Sequence, residues 1–137
     1  MAKTPLDKQI EKARKEAQRN AYKEELRQRA ASIVSSQPII NGVRIIDDTA
    51  ETVLNCLLEN CKDSSTGHVS YDNDIFPQAV SRSIGLEIEK LIQYGMVTSY
   101  IPWANGGMLN LLPCSFSYFE RKATAQAMSL ASTTGEK

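Results

Sequence analysis

The residues best suited to metal or nucleophilic chemistry are three cysteines and one histidine. Cys56, Cys61, Cys114 and His68 are the thiols and the imidazole of the 137-residue chain. A zinc site would use paired spacings such as Cys-x-x-Cys, which are absent, and a disulfide framework would use an even number of cysteines. We therefore expect reduced, mostly buried thiols and no metal site. We expect His68 to be an exposed or hydrogen-bonded residue.

Asp72-Asn73-Asp74 is a carboxylate cluster that resembles the start of a calcium loop. An EF-hand loop needs a glycine at its sixth position and a glutamate at its twelfth. Counted from Asp72, those positions hold Pro77 and Ser83. We instead expect Asp74 to cap a helix, whose first turn tolerates Pro77 because the first amides of a helix lack partners anyway.

Motifs of catalysis are missing from the chain. It has neither a glycine-rich phosphate loop nor a Gly-x-Ser-x-Gly nucleophile turn, and its scattered carboxylates fall at predicted helix caps and helix surfaces. The sequence therefore predicts a non-enzymatic protein with no catalytic residue, no cofactor and no small-molecule substrate.

The elements that position these residues begin with a helix near Asp48. Asp48-Thr49-Ala50-Glu51 is typical of a capping box with Asp48 as the cap, and the apolar residues that follow repeat at helical spacing. A polar loop at 62–67 ends this helix, and residues 68–71 favour a short strand. We expect a short second helix near 74–81 and a third near 83–94, which Gly95 ends in the left-handed conformation.

A two-stranded ribbon follows the third helix. We expect an outgoing strand from Val97 to Trp103, a turn in residues 104–107, and a return strand from Met108 to Leu112. Pro102 cannot donate a ladder hydrogen bond, so the outgoing strand should be an edge strand. A last helix opens at Leu112-Pro113-Cys114-Ser115.

The N-terminal 34 residues form a charged arm. They carry nine basic and five acidic residues, whereas residues 45–120 carry three basic and ten acidic residues. The arm favours a helix from about Pro5 to Ile33. Its first apolar stripe has coiled-coil spacing, and a second cluster follows in a shifted register. The stripe comprises Leu6, Ile10, Ala13 and Ala17, and the second cluster comprises Tyr22, Leu26, Ala30 and Ile33. The arm could be a solvated helix, a self-associating or partner-binding helix, or a nucleic-acid arm.

These elements predict a mostly helical α+β protein. We expect a helical arm at 1–34, a linker at 35–47 that forms either a small hairpin around Asn41-Gly42 or an extended segment packed on the body, a body at 48–125 and a flexible tail at 126–137. The body should contain three helices, a small antiparallel hairpin and a C-terminal helix. No apolar run is long enough for a membrane span or a signal peptide, so we expect a soluble, cytoplasmic protein.

Two segments carry a family resemblance. In residues 88–97 a helix ends in Gly95 followed by two apolar residues, and in residues 111–120 a strand leads through a proline turn into a helix with Tyr118-Phe119-Glu120. This pattern resembles the small winged-helix proteins of bacteria and their prophages, and it covers about residues 48–125. The resemblance implies DNA binding, with the third helix in the major groove and the wing on phosphates.

The resemblance assigns DNA contacts to Ser81, Arg82, Ser83 and Lys90, helped by the basic arm of a dimer. Residues 97–120, however, contain neither lysine nor arginine. Phosphate neutralisation supplies most non-specific affinity, so a wing without cations on an acidic body disfavours the usual docking.

The alternative is a protein-interaction or oligomerisation module. Its binding surface would be the uncharged wing, and Trp103 near the tip either packs onto the body or serves as an exposed anchor. The sequence leaves DNA and protein open as partners, and homodimerisation through the arm with them. The partner-binding candidates are Tyr100, Ile101, Pro102, Trp103 and Met108.

Overall fold

The computed structural model describes the backbone of residues 4–134 and the side chains of residues 4–129. The parts of the expected arm and tail that fall at residues 1–3 and 135–137 lie outside the described residues. The fold is α+β, with four α-helices and two small antiparallel sheets in the described part of the chain. Among the described helices, none combines the length and the apolar content needed to cross a bilayer.

The arm forms helix α1 (Pro5–Ser35), close to the predicted bounds. Thr4 begins it with a capping box, in which the Thr4 side chain accepts from the Asp7 amide and the Asp7 side chain accepts from the Thr4 amide. Its 31 residues span about 46 Å at 1.5 Å per residue. The last turns of α1 bury Ala30 and Val34, and the helix lies along α3, whereas its first turns are exposed.

Of the two structures expected for the linker, the hairpin forms, with strands β1 (Ile39–Ile40) and β2 (Val43–Arg44). Asn41 and Gly42 both have positive φ, 48° and 81°, which is the backbone that a tight two-residue hairpin requires. Asn41 donates a 2.8 Å hydrogen bond to the Ala125 carbonyl, and Arg44 donates a 2.9 Å bond to the Val34 carbonyl. The hairpin therefore joins the end of α1 to the last helix.

Helix α2 (Asp48–Glu59) begins one residue before the predicted position. Its cap is Asp47, which accepts from the Ala50 amide, so the prediction of Asp48 as the cap is wrong. With Asp47 as the cap, the third helical position holds Ala50 and no reciprocal capping bond can form. Glu51 is free of that role and bonds to the last helix instead.

The predicted second helix does not form. After β3 (His68–Asp72) the chain makes two single 3₁₀ turns, Asn73–Ile75 and Gln78–Val80. Pro77 separates them, because it lacks a donor and forces Phe76 into extended backbone (φ −93°, ψ 143°). Asp74 lies inside the first turn, so its predicted role as a helix cap is wrong.

Helix α3 (Ile84–Gln93) lies within one residue of the predicted third helix at either end. It buries Ile84, Ile88 and Leu91 in the core. Gly95 follows with φ 79°, which confirms the predicted left-handed stop.

Strands β4 (Val97–Trp103) and β5 (Gly106–Leu111) complete a three-stranded antiparallel sheet in the order β3-β5-β4. The predicted edge position of β4 is confirmed. The turn is only Ala104-Asn105, so the prediction of a longer turn is wrong. Gly106 and Gly107 belong to the central strand, where a Cβ on Gly106 would lie 2.1 Å from the Tyr71 carbonyl oxygen. These glycines thus serve the close approach of β3.

Helix α4 (Pro113–Thr134) closes the fold and continues well past residue 125, where the body was expected to end. Tyr118 fixes it to α2, since its hydroxyl accepts from the Ile46 amide at 2.8 Å and donates to Glu51 at 2.5 Å. Lys122 forms a 2.7 Å ion pair with the same carboxylate. The core lies between α2, α3, the sheet and the start of α4, and its fully buried side chains include Val53, Leu54, Leu57, Val69, Ile88, Leu91 and Leu109.

Candidate functional site

A β-bulge in β4 decides which side chains the β4-β5 ribbon exposes. Thr98 pairs with Asn110 and Ile101 pairs with Met108, so two residues of β4 lie opposite one residue of β5. Ser99, the first of the two, has φ 57°, in the left-handed region that a residue with a Cβ rarely occupies. An extra residue in a strand reverses the alternation of its side chains beyond that point.

Strand alternation divides the predicted partner-binding residues between the two faces of the sheet, and the bulge decides which of them are turned outward. Ile101 and Trp103 are 51% and 47% exposed on the outer face, where Met108 lies opposite Ile101. Unbroken alternation from the buried Val97 would have turned both toward the core. Tyr100 and Pro102 lie on the other face, toward α1. The five residues therefore do not form one patch.

Trp103 lies across the backbone of the opposite strand. A Cβ built on Gly106, its partner in the ladder, would be 2.8 Å from Trp103 Nε1. The indole therefore covers Gly106 and leaves nearly half of its own surface in solvent. Of the two alternatives for Trp103, the structure favours the exposed position over packing into the body.

A groove of about 630 Å³ lies between α1 on one side and α3 with β4 on the other. Its apolar surface comes from both sides, and its charged residues lie mostly on α1. The apolar lining residues are Tyr22, Leu26, Gly85, Tyr100 and Pro102, and the charged ones are Lys15, Arg19, Lys23, Arg27 and Glu89.

Leu26 of α1 lies close to Gly85 of α3. A Cβ built on Gly85 would lie 3.8 Å from Leu26 Cδ1, an ordinary van der Waals distance, so the two helices are in contact here. N-terminal to this contact, Tyr22 remains 62% exposed at the groove. The groove therefore begins where close packing of α1 on α3 ends.

Burial raises the pKa of two ionisable groups that line the groove. Burial raises the pKa of Tyr100, and a hydrogen bond with Tyr71 offsets only part of that increase. Burial also raises the pKa of Glu89, although the nearby charges of Arg27 and Lys23 oppose the change. The side of the groove opposite α1 thus offers a phenol and one partly desolvated carboxyl group.

The predicted DNA-contacting residues do not lie together on an exposed surface. Ser81 and Arg82 are exposed and Ser83 is half-buried, at or just before the start of α3. Lys90 is 3% exposed. Its Nζ lies 2.6 Å from Asp47 Oδ2, 2.5 Å from Glu87 Oε1 and 3.2 Å from Thr49 Oγ1.

These contacts remove Lys90 from the candidate DNA surface. The ammonium group donates hydrogen bonds to Asp47 and Thr49 and forms an ion pair with Glu87, so its charge is already neutralised inside the protein. Moving the charge to a phosphate would leave Asp47 and the 2%-exposed Glu87 carboxylate without their cation. Lys90 therefore holds α3 against the start of α2.

Asp47 is the centre of this cluster. Tyr94 donates a 2.6 Å hydrogen bond to Asp47 Oδ1. Burial by itself raises the pKa of Asp47, but the hydrogen bonds from Lys90, Tyr94 and Thr49 and the charge of Lys90 outweigh it and lower the pKa. The cluster lines no part of the groove, and we interpret it as structural.

Cys61 and His68 lie close together, because the Cys61 thiol donates a 3.8 Å hydrogen bond to the His68 backbone carbonyl. Cys56, Cys61 and Cys114 are free and half-buried, where mostly buried thiols were expected, and His68 is exposed on β3. Within residues 4–129, no three His, Cys, Asp or Glu side chains are grouped so that they could hold a metal ion.

No protein-family model, curated protein or solved structure matches the chain. The winged-helix resemblance therefore rests on the quoted residues and on the order of elements alone.

The predicted site omitted the contribution of the arm. Lys15, Arg19 and Lys23 line the groove from α1, and none of the predicted partner-binding residues came from the arm. One signal was available in the apolar cluster that begins at Tyr22. The residues of this cluster are shifted in register from the first stripe, and they belong to the half of α1 that packs on the body.

Proposed function

We propose that the protein is a non-enzymatic protein-interaction module on a winged-helix-like frame, which binds its partner in the groove beside α1. The position of α1 along α3 carries this proposal. In a DNA-binding winged helix the outer face of the third helix enters the major groove. Here α1 lies along α3 and forms one wall of the groove, so the same surface is suited to a partner that fits between two helices.

The winged-helix frame is supported by the order of elements. Helix α2, strand β3, helix α3, the β4-β5 ribbon and helix α4 follow in the order that the resemblance implies, with β5 central. The departure is the second helix, which two 3₁₀ turns replace. A winged-helix-like frame therefore accounts for the order of the elements from α2 to α4, apart from the second helix.

The wing adds exposed apolar surface next to the groove. Ile101 and Trp103 project from the outer face of β4 while Tyr100 and Pro102 line the groove on the other. Aromatic residues on an exposed edge are common anchors in protein interfaces. A partner that fills the groove could extend over the edge of β4 to Trp103.

DNA binding is the second candidate, favoured by the exposed Arg82 and the basic arm. Three observations disfavour it: the outer side of α3 faces α1, Lys90 is buried in an ion pair, and β4 and β5 contain no cation. Non-specific affinity for a duplex depends on the number of phosphates neutralised, and the described wing supplies none of that charge.

Homodimerisation through α1 is a further interaction of the same class. Leu6 and Ile10 of the first apolar stripe are 64% and 59% exposed. Sedimentation velocity of the full chain and of Ile10→Glu tests this, since a dimer formed by the stripe dissociates in the variant. Equal mass for the two proteins would exclude the stripe as the contact.

Selection from a random peptide display library tests the main proposal. The full chain is immobilised, and we expect enriched peptides that lose binding to Tyr22→Ser, a change at an exposed groove residue. The matched control is Ile39→Ser, which changes a 58%-exposed apolar residue remote from the groove. Fluorescence anisotropy with a random labelled duplex at low salt is run in parallel. Salt-dependent duplex binding without any enriched peptide would favour DNA and reject the proposal.

A further inference from the structure

We infer that the occupant of the groove is an acidic amphipathic helix of a partner protein. This inference rests on the proposed function and adds the chemistry and the conformation of the ligand. Three features of the groove carry it: its apolar floor and length, the blocked edge of β4, and the charge of its α1 wall.

The floor of the groove suits one apolar face of a short helix. Its apolar lining comes from three elements: Tyr22 and Leu26 of α1, Gly85 of α3, and Tyr100 and Pro102 of β4. The α1 wall runs from Lys15 to Arg27, which corresponds to about 18 Å at 1.5 Å per residue. That length accommodates about three turns of helix, with anchors at positions i, i+3, i+4 and i+7.

The edge of β4 disfavours an extended occupant. A partner that adds a strand needs a regular row of donors and acceptors on the edge strand. Ser99 interrupts this row with a bulge, and Pro102 has no N–H to offer. A helix satisfies its own backbone hydrogen bonds and so does not depend on that edge.

The charge of the groove selects an acidic partner. Lys15, Arg19, Lys23 and Arg27 line it from α1, against Glu89 as the one carboxylate among its lining residues. The pairs of Lys15 with Glu11 (3.6 Å) and of Arg27 with Glu24 (3.9 Å) are solvent-exposed and therefore weak. Carboxylates beside the apolar anchors of a bound helix would face these cations, whereas lysines in their place would be repelled.

The test uses a fluorescein-labelled helical peptide of about fourteen residues, with leucines at the spacing given above and glutamates elsewhere. A second peptide carries lysine in place of every glutamate. Fluorescence polarisation with the full chain should show binding of the acidic peptide and at least tenfold weaker binding of the basic one. Adding about 0.5 M salt should weaken the acidic complex, because surface charges are screened at that concentration.

Charge reversal on α1 locates the site. We expect Arg19→Glu with Lys23→Glu to weaken the acidic peptide at least tenfold. Lys8→Glu with Lys12→Glu, which makes the same change in net charge outside the groove, should leave the affinity within about twofold. Circular dichroism confirms that both variants keep their helix content. Equal losses in the two variants would mean general charge attraction, and the inference would be rejected.

The remaining outcomes separate the inference from the proposed function. If neither peptide binds while the display library still yields groove-dependent sequences, the acidic helix is rejected and the interaction module stands. If the library yields nothing, the proposed function fails as well. If the free chain sediments as a dimer that Arg19→Glu with Lys23→Glu dissociates, the occupant is a second copy of the chain and the inference is again rejected.

Discussion

Lys90 Nζ lies 2.6 Å from Asp47 Oδ2, and the Lys90 side chain is 4% exposed. The contact joins α3 to the residue that caps α2. Because Lys90 is buried in this ion pair, α3 exposes less positive charge than its sequence indicates. This contact weakens the case for DNA more than any count of charged residues does.

The first prediction concerns the removal of this cation. Lys90→Met should lower the free energy of unfolding by about 3–5 kcal/mol, because it leaves the buried Glu87 carboxylate and the half-buried Asp47 carboxylate without a counter-charge. Urea denaturation measures the change, and Arg82→Met is the control at an exposed cation of the same segment. Adding Glu87→Gln to Lys90→Met should restore part of the loss. An unchanged unfolding midpoint for Lys90→Met would contradict the burial of the ion pair.

Asp47 should give the protein an acid-sensitive stability. Its pKa is lowered in the folded state, since hydrogen bonds from Lys90 and Tyr94 outweigh the opposing effect of burial. A carboxyl of this kind contributes stability above its unfolded pKa of about 3.9, and the contribution is lost as the pH falls through the folded pKa.

Urea unfolding between neutral pH and about pH 3 measures this contribution. Asp47→Asn should be less stable than the wild type at neutral pH and should lose less on acidification. Asp48→Asn, at the exposed neighbouring position, should follow the wild-type curve. A wild-type slope in Asp47→Asn would show that other groups cause the acid sensitivity.

The bulge at Ser99 should depend on a residue that tolerates positive φ. Ser99→Val should cost about 1–2 kcal/mol, because a β-branched side chain is strained in the left-handed region. Ser99→Gly should be at least as stable as the wild type. Trp103 is the single tryptophan, so its fluorescence reports directly on the outer face of β4. A spectrum unchanged in Ser99→Val, with wild-type stability, would mean that the bulge does not require this backbone conformation.

Two glycines with similar φ should respond differently to alanine. At Gly67 (φ 70°) a Cβ would lie 2.1 Å from the Leu111 carbonyl oxygen, whereas at Gly42 (φ 81°) nothing lies within 4 Å. Both variants should incur backbone strain of about 1 kcal/mol, and Gly67→Ala should lose about 1–3 kcal/mol more through the clash with β5. Thermal unfolding measures both, and equal losses would contradict the close contact of the loop with β5.

Much of the local structure was predictable from nearby residues. The Asn41-Gly42 hairpin, the stop at Gly95 and the ends of α3 follow from turn and capping chemistry that acts within a few residues. The second helix was mispredicted because the apolar spacing around Pro77 outweighed the restriction that proline imposes on Phe76. The longer turn was mispredicted because Gly106 and Gly107 serve the approach of Tyr71, which is remote in sequence.

The candidate site was less predictable than the elements that form it. The β4 residues from Tyr100 to Trp103 were recognised as a group, but alternate residues of a strand face opposite sides of the sheet, and the bulge at Ser99 decides which pair is turned outward. The groove also needs α1, which contacts α3 through Leu26 and Gly85. These two residues are far apart in the sequence, so local patterns do not predict their contact.

Apart from the second helix, which does not form, the sequence by itself determined the order of helices and strands, the asymmetry of charge between arm and body, and the absence of cations in the ribbon. Each follows from composition or from interactions between neighbours in the chain. Only the tertiary structure decided that Lys90 is buried against Asp47, that Trp103 is exposed and that α1 forms a wall of the groove. The physical reason is that burial, ion pairing and strand register depend on which distant segments pack into one core. The propensities of neighbouring residues do not determine that packing.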